Sequence, residues 1–178
     1  MKQGQNLYLV GPMGVGKTTI GRLIAQKLGK VFIDLDDELE LRSGASIPWI
    51  FDVEGEEGFR RREAELLREV TAGRDIVLST GGGVVLSAEN RQVLKSTGFV
   101  VFLNASVEQL HQRTLKDRKR PLLQVPDRRQ VIERLKRDRD PLYREVAHLV
   151  FDVGHRNSRH VTEVLLQKLR GFGICQEG

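Results

Sequence analysis

Gly11-Pro12-Met13-Gly14-Val15-Gly16-Lys17-Thr18 sets a glycine, four residues and then Gly-Lys-Thr, a spacing in which loop backbone wraps a row of phosphates. Each residue type has a physical task there. Glycines let successive N–H groups turn inward on an anion with no Cβ in the way. Lys17 brings a mobile ammonium to the outer phosphates, and the Thr18 hydroxyl is a hard oxygen of the kind Mg2+ takes as a ligand. From the chain's own Gly, Lys and Ser/Thr frequencies, an accidental match is expected on the order of once in a hundred such chains. The segment predicts a nucleotide site held by Gly14, Val15, Gly16, Lys17, Thr18 and Thr19.

Other residues offer complementary chemistry. Asp34 and Asp36 stand two apart at the end of an apolar run, so one can face a metal while the other faces a phosphoryl acceptor. Helix capping is the alternative, because Asp does that equally well. The aspartate that ordinarily holds Mg2+ in such enzymes is missing from the strand before Ser79-Thr80-Gly81-Gly82-Gly83, and Asp34 is the nearest substitute, acting through a metal-bound water. Three glycines in a row exceed what an ordinary turn needs and permit close approach of backbone to a small ligand, whose hydroxyls N–H groups would meet. Arg60, Arg61 and Arg62 point in three directions from a helix, so at most two reach any one crevice. Bidentate arginine suits a carboxylate, and Arg139-Asp140-Pro141-Leu142-Tyr143 is a second candidate clamp. Arg120, in a basic Pro-bounded stretch, could fold over bound nucleotide and exclude water. The four histidines show no metal-ligand spacing, and Cys175 has no evident role.

Elements that would position these residues alternate regularly. Apolar runs predict strands at Leu7–Val10, Val31–Ile33, Ile76–Leu78, Phe99–Leu103 and Leu149–Val153. Between them, helical spacing predicts helices over Thr18–Leu28, Glu38–Arg42, Ile47–Val53, Gly55–Val70 and Ala88–Lys95. Further helices follow from Ser106, with Val107, Leu110 and Leu115 inward, and from Asp127 to about Arg139. Pro141 should interrupt that last one, with a continuation over Leu142–Ala147 and a final helix over Val161–Leu169. The stretch Lys116–Pro126 is too polar for core and reads as a mobile loop. Strands apolar on both sides and separated by helices specify an α/β fold with a parallel sheet covered on both faces. Ligands of such sheets collect beyond the carboxyl ends of the strands. The phosphate loop, Asp34, Asp36 and the three-glycine turn each follow a strand, so they should face one crevice.

Composition sets the outer limits. The chain has 178 residues, enough for one domain with its own core, and is 39% hydrophobic and 30% charged. No run is long enough to span a bilayer, and the first six residues lack the apolar core of a secretory signal. A lone cysteine suits a reducing cytoplasm. The net charge of +5 fits a solvated basic surface or phosphate handling. The basic segment from Arg113 to Arg120 lacks the aromatics that would stack on bases, so no nucleic-acid partner is expected.

Taken together, six segments in order resemble the shikimate kinase family. They are the phosphate loop, Phe32-Ile33-Asp34-Leu35-Asp36, Phe51 through Arg60, Thr80–Gly83, Arg118–Leu123 and Arg139–Tyr143. The resemblance implies a three-layer α/β/α P-loop fold of one domain, residues 1–178, and a five-stranded parallel sheet in order 2-3-1-4-5. A substrate-binding subdomain at about residues 35–62 and a lid at about 112–126 would accompany it. It implies transfer of the ATP γ-phosphoryl to the 3-hydroxyl of shikimate with Mg2+, by a cytoplasmic monomer serving chorismate and aromatic amino acid synthesis. By matching position, Asp36 binds the shikimate hydroxyls and accepts the proton, while Thr18 and, through water, Asp34 hold the metal. Arg60 and Arg139 grip the carboxylate, steadied by Glu63; Gly81, Gly82 and Gly83 supply substrate-side backbone. Lys17 and Arg120 act on the transferring phosphate, and Arg113 and Arg156 line the adenine pocket. Asn157-Ser158 stands where many relatives carry an adenine-stacking proline. A kinase for another polyol acid, such as gluconate, is the alternative on the same scaffold.

Overall fold

A computed structural model describes residues 5–115 and 123–174. Five parallel strands form one sheet in the order β2-β3-β1-β4-β5, as the family resemblance implies. They are β1 (Asn6–Val10), β2 (Val31–Asp34), β3 (Ile76–Ser79), β4 (Gly98–Asn104) and β5 (Leu149–Asp152). Among the described residues the helices are α1 (Lys17–Leu28), α2 (Leu35–Ser43), α3 (Ile47–Thr71), α4 (Ala88–Thr97), α5 (Val107–Thr114), α6 (Arg128–Val146) and α7 (Ser158–Gly171).

The period of two along each strand divides the core. Leu7 and Leu9 of β1 join Val77, Val101 and Leu103 on one face, against Ile20 and Ile24 of α1 and Leu165 and Leu169 of α7. Tyr8 and Val10 point the other way, with Leu78, Val100 and Phe102, against Leu67 of α3, Leu94 of α4 and Tyr143 of α6. Coverage is complete only over the middle of the sheet. The edge strands expose Val31 (62%) and Val150 (39%), so the expectation of strands apolar on both sides holds for β1, β3 and β4 alone.

Pairing register aligns the strand ends that matter: Asp34 lies opposite Ser79, Ser79 opposite Leu9, and Val10 opposite Phe102. Everything that follows these residues leaves the sheet on the same rim.

The two helical pieces expected over residues 47–70 are present within α3, meeting at a kink at Gly55, where φ of 72° and ψ of 179° break the helical path. Such a φ is one glycine adopts freely. Arg62 spans that kink, its Nε and Nη2 donating to the two carboxylate oxygens of Glu54 at 2.8 and 2.6 Å. Pro141 does not interrupt α6, which runs through it to Val146. Leu115 is half exposed because α5 has already ended, and the neighbouring core position goes to Leu123, which is fully buried despite its polar surroundings in sequence. Residues 116–122 of the expected mobile loop and lid, including Arg120, lie outside the described residues, as does Cys175.

Candidate active site

The phosphate loop joins β1 to α1. Gly14 and Gly16 take φ of 81° and 104°, which presents consecutive amides at the start of the helix. Val15 between them is fully buried, so only its backbone can meet a ligand. The Lys17 ammonium lies back along the loop and donates to the carbonyls of Gly11 (2.7 Å) and Pro12 (2.9 Å). Thr18 donates its hydroxyl to Oδ2 of Asp34 at 2.6 Å.

Asp34 takes the capping role, and its second oxygen meets Thr18. Its Oδ1 caps α2, accepting from the N–H groups of Asp36 (3.1 Å) and Asp37 (3.2 Å), while Oδ2 faces α1. Asp36 thereby starts the second helix with its carboxylate beside Gly81. A cavity of about 210 Å3 brings Lys17, Thr18, Asp34, Asp36, Gly81 and Gly82 together, with Gly14, Gly16 and Thr19 on its wall. A second cavity, about 170 Å3 between α2 and α3, lies away from the strand ends, and its Arg42 and Arg62 are already paired with glutamates.

Charges in the main cavity set its proton affinity. Burial first, then the neighbouring carboxylates of Asp34 and Glu63, push the Asp36 carboxyl up to about 6; Lys17 and Arg60 partly oppose this. Glu63 is 1% exposed and its carboxyl is likewise raised by burial, against the pull of Arg60 and Arg139. Arg60 donates from Nη1 to Oε1 of Glu63 at 2.8 Å. The other carboxylate oxygen of Glu63 and the Nε of Arg60 are buried without a hydrogen-bond partner among the described residues.

The arginine run resolves as helix geometry requires: Arg60 faces inward, Arg61 is exposed, and Arg62 spans the kink. Arg139 arrives from α6, its Nη1 3.4 Å from where a Cβ on Gly82 would sit. A Cβ on Gly83 would fall on the Arg60 guanidinium itself. Gly83 has φ of −96°, ordinary for any residue, so glycine is needed here for the close approach and not for the backbone angle. Arg60 and Arg139 therefore converge on the glycine turn.

Arg113 and Arg156 sit apart from that cluster. Arg113 donates to the carbonyls of Val15 (3.1 Å) and Gly154 (3.5 Å), joining the phosphate loop to the turn after β5, and Arg156 donates to that of Asp152 (3.2 Å) at the end of β5. Sequence reasoning placed Tyr143 only within the candidate clamp segment Arg139–Tyr143; it is 1% exposed and donates its hydroxyl to the Gly82 carbonyl at 2.5 Å. Its place one helical turn after Arg139 is the signal that could have found it.

The donor set suits Mg2+. A hydroxyl and a carboxylate are hard oxygens, and no cluster of three or more His, Cys, Asp or Glu that could cage a metal occurs among the described residues. Mg2+ is commonly held by just one or two protein oxygens, the rest of its shell being water and phosphate.

Comparison with known proteins agrees with this geometry. The sequence model of the family described as shikimate kinase matches residues 13–170. A shikimate kinase of Psychrobacter arcticus is 53% identical over 167 residues, 94% of this chain and 90% of that one. Among solved structures, shikimate kinase from Acinetobacter baumannii in complex with shikimate superposes with a TM-score of 0.92 at 48% identity, covering 96% and 95% of the two chains. A gluconokinase from Sinorhizobium meliloti shares the fold alone, with a TM-score of 0.59 at 16% identity over 97% and 95% of the chains. No helix among the described residues is long and apolar enough to cross a membrane. Sequence, fold and rim geometry concur, and the chain belongs to the shikimate kinase family.

Proposed function

We propose that the protein transfers the γ-phosphoryl group of ATP to the 3-hydroxyl of shikimate, giving shikimate 3-phosphate and ADP. One observation carries the reading: Asp36 opens into the same cavity as Lys17, beside a glycine turn on which Arg60 and Arg139 converge. Kinship with an enzyme solved with shikimate bound supports the choice of acceptor.

In this reading the amides of Gly14, Val15 and Gly16 cradle the phosphates, and Lys17 exchanges its bonds to the Gly11 and Pro12 carbonyls for phosphate oxygens. Thr18, and Asp34 through water, would hold Mg2+, which neutralises phosphate charge. Arg60 and Arg139 grip the ring carboxylate, so the acceptor hydroxyl meets Asp36. That oxygen bonds to the γ-phosphorus as the bond to the β,γ-bridging oxygen breaks, and the hydroxyl proton passes to the Asp36 carboxylate. Phosphoryl transfer is loose and asks little of a base. Alignment and charge neutralisation supply most of the acceleration. Residues 35–62 form the substrate-binding subdomain, Arg113 and Arg156 flank the adenine, and Arg120 acts from the lid at 112–126.

A coupled assay of ADP release, run with ATP and Mg2+ and with or without shikimate, tests the reading. Release should depend on shikimate, fail with gluconate, and vanish in Lys17→Ala. ADP formation indifferent to shikimate would refute it.

A further inference from the structure

Between β3 and α4 the chain is fastened at both ends. Thr80 is tied to β1, its N–H and hydroxyl both donating to the Leu9 carbonyl at 3.2 and 2.9 Å. Beyond the glycines, Asn90 donates its amide to the Val84 carbonyl (3.0 Å) and Arg91 its Nη1 to that of Val85 (2.8 Å). Both anchors come from α4. The span between them, Gly81-Gly82-Gly83, has turn bonds from Val84 N–H to Gly81 and from Leu86 N–H to Gly83, which use carbonyls. None of the three glycine N–H groups donates to a protein acceptor among the described residues. The remaining carbonyl, that of Gly82, is taken by the Tyr143 hydroxyl.

Tyr143 is well suited to hold it. The phenol is fully buried, its ring packs against Phe102 at 5.1 Å between centroids, and its hydroxyl lies 3.6 Å from the Cβ position of Gly82. The guanidinium of Arg139 approaches the same position, its Nη1 lying 3.4 Å from it. A trans peptide carries its C=O and N–H in opposite directions. Fixing the Gly82 carbonyl against α6 therefore fixes the direction of the Gly83 N–H and the plane of the whole central peptide. A run of three glycines has no side chains with which to do this for itself.

We propose that Tyr143 is a positioning residue for the acceptor: its hydroxyl sets the peptide plane of the glycine turn and gives Arg139 a fixed partner. The donors of the turn and one arm of the carboxylate clamp are thus presented together. Tyr143 does not touch the reacting atoms. The inference rests on the reading of the site as a shikimate kinase site, since it names shikimate as the ligand positioned.

Tyr143→Phe removes the hydroxyl and keeps the ring against Phe102. Steady-state kinetics should show the KM for shikimate raised about tenfold, as expected for one lost hydrogen bond of orientation, with the KM for ATP changed less than about twofold. The variant should also discriminate less against deoxy analogues of shikimate that lack one ring hydroxyl, because a turn with a wandering peptide plane distinguishes hydroxyls poorly. A purely structural role would move neither the split between the two KM values nor the discrimination ratio. Equal changes in both KM values, or an unchanged ratio of kcat/KM between shikimate and its deoxy analogues, would overturn the proposal. Should Tyr143→Phe not fold, 3-fluorotyrosine at position 143 retains the donor, and a shikimate KM raised about tenfold there would overturn it as well. Wild-type protein with no shikimate-dependent turnover would instead overturn the functional reading, and this inference with it.

Discussion

Replacing Asp36 by asparagine should make the protein more stable while making it a poor catalyst. The Asp36 carboxyl is pushed from 3.8 to about 6 by burial beside Asp34 and Glu63. A raised carboxyl binds its proton more tightly in the folded chain than in the unfolded one. Its ionised form therefore costs folding free energy above pH 6, and the cost fades as pH falls towards 4. At about 1.4 kcal/mol per tenfold change in proton affinity, the displacement amounts to about 3 kcal/mol at pH 8. Asp36→Asn keeps the shape and removes the charge, so it should recover most of that. For a domain of this size the unfolding midpoint should rise roughly 6–12 °C. At pH 5 wild-type Asp36 is largely protonated in the folded state, and the advantage of the variant should shrink to about half. Turnover should fall about a hundredfold, chiefly because asparagine no longer orients the acceptor hydroxyl as the carboxylate does, and in lesser part for want of a proton acceptor. Urea unfolding of both proteins at pH 8 and pH 5, with m-values compared, reads the stability difference directly. A variant no more stable than wild type at pH 8, or a gain independent of pH, would refute the argument that these crowded carboxylates strain the fold.

The same displacement predicts an acid limb in kcat/KM for wild type: activity should fall tenfold per unit below a pH of about 6, where Asp36 protonates. A limb near 4 would mean that the group behaves as an ordinary aspartate. Gly83→Ala should raise the shikimate KM about tenfold or more and leave the ATP KM alone, because its Cβ would displace the Arg60 guanidinium without straining the backbone. An unchanged KM for shikimate would place Arg60 outside the carboxylate clamp.

The phosphate loop was the most legible part of the chain because its task is done by backbone, and glycine spacing is how sequence records backbone conformation. The strands themselves were readable as apolar runs, but their order across the sheet came from the family resemblance, because apolar periodicity says nothing of which strands pair. Side-chain direction was not. Composition could not say which of Arg60, Arg61 and Arg62 turns inward; the 100° step of the helix and the partners Glu63 and Glu54 decide it. For Asp34, capping and a metal role stood as alternatives, yet a carboxylate has two oxygens: one caps α2 while the other turns to the Thr18 hydroxyl, so capping does not exclude a metal role. Tyr143 lay within the candidate clamp segment but had no task of its own there, because its bond goes to a backbone carbonyl, a partner every residue carries. Pro141 misled in the opposite direction. A missing N–H costs one helical bond, which the packing of Tyr143 and Val146 in the core offsets.

Asp34 also has a consequence for how the two halves of the cavity communicate. The first turn of α2 and the opening threonine hydroxyl of α1 share a single carboxylate as their junction, so neither helix start can shift without the other registering it. Whatever engages Thr18 alters the footing of the turn that carries Asp36, and whatever engages Asp36 alters the surroundings of Thr18. Thermodynamic reciprocity then requires that any change in affinity one occupant imposes on the other be returned by the same factor.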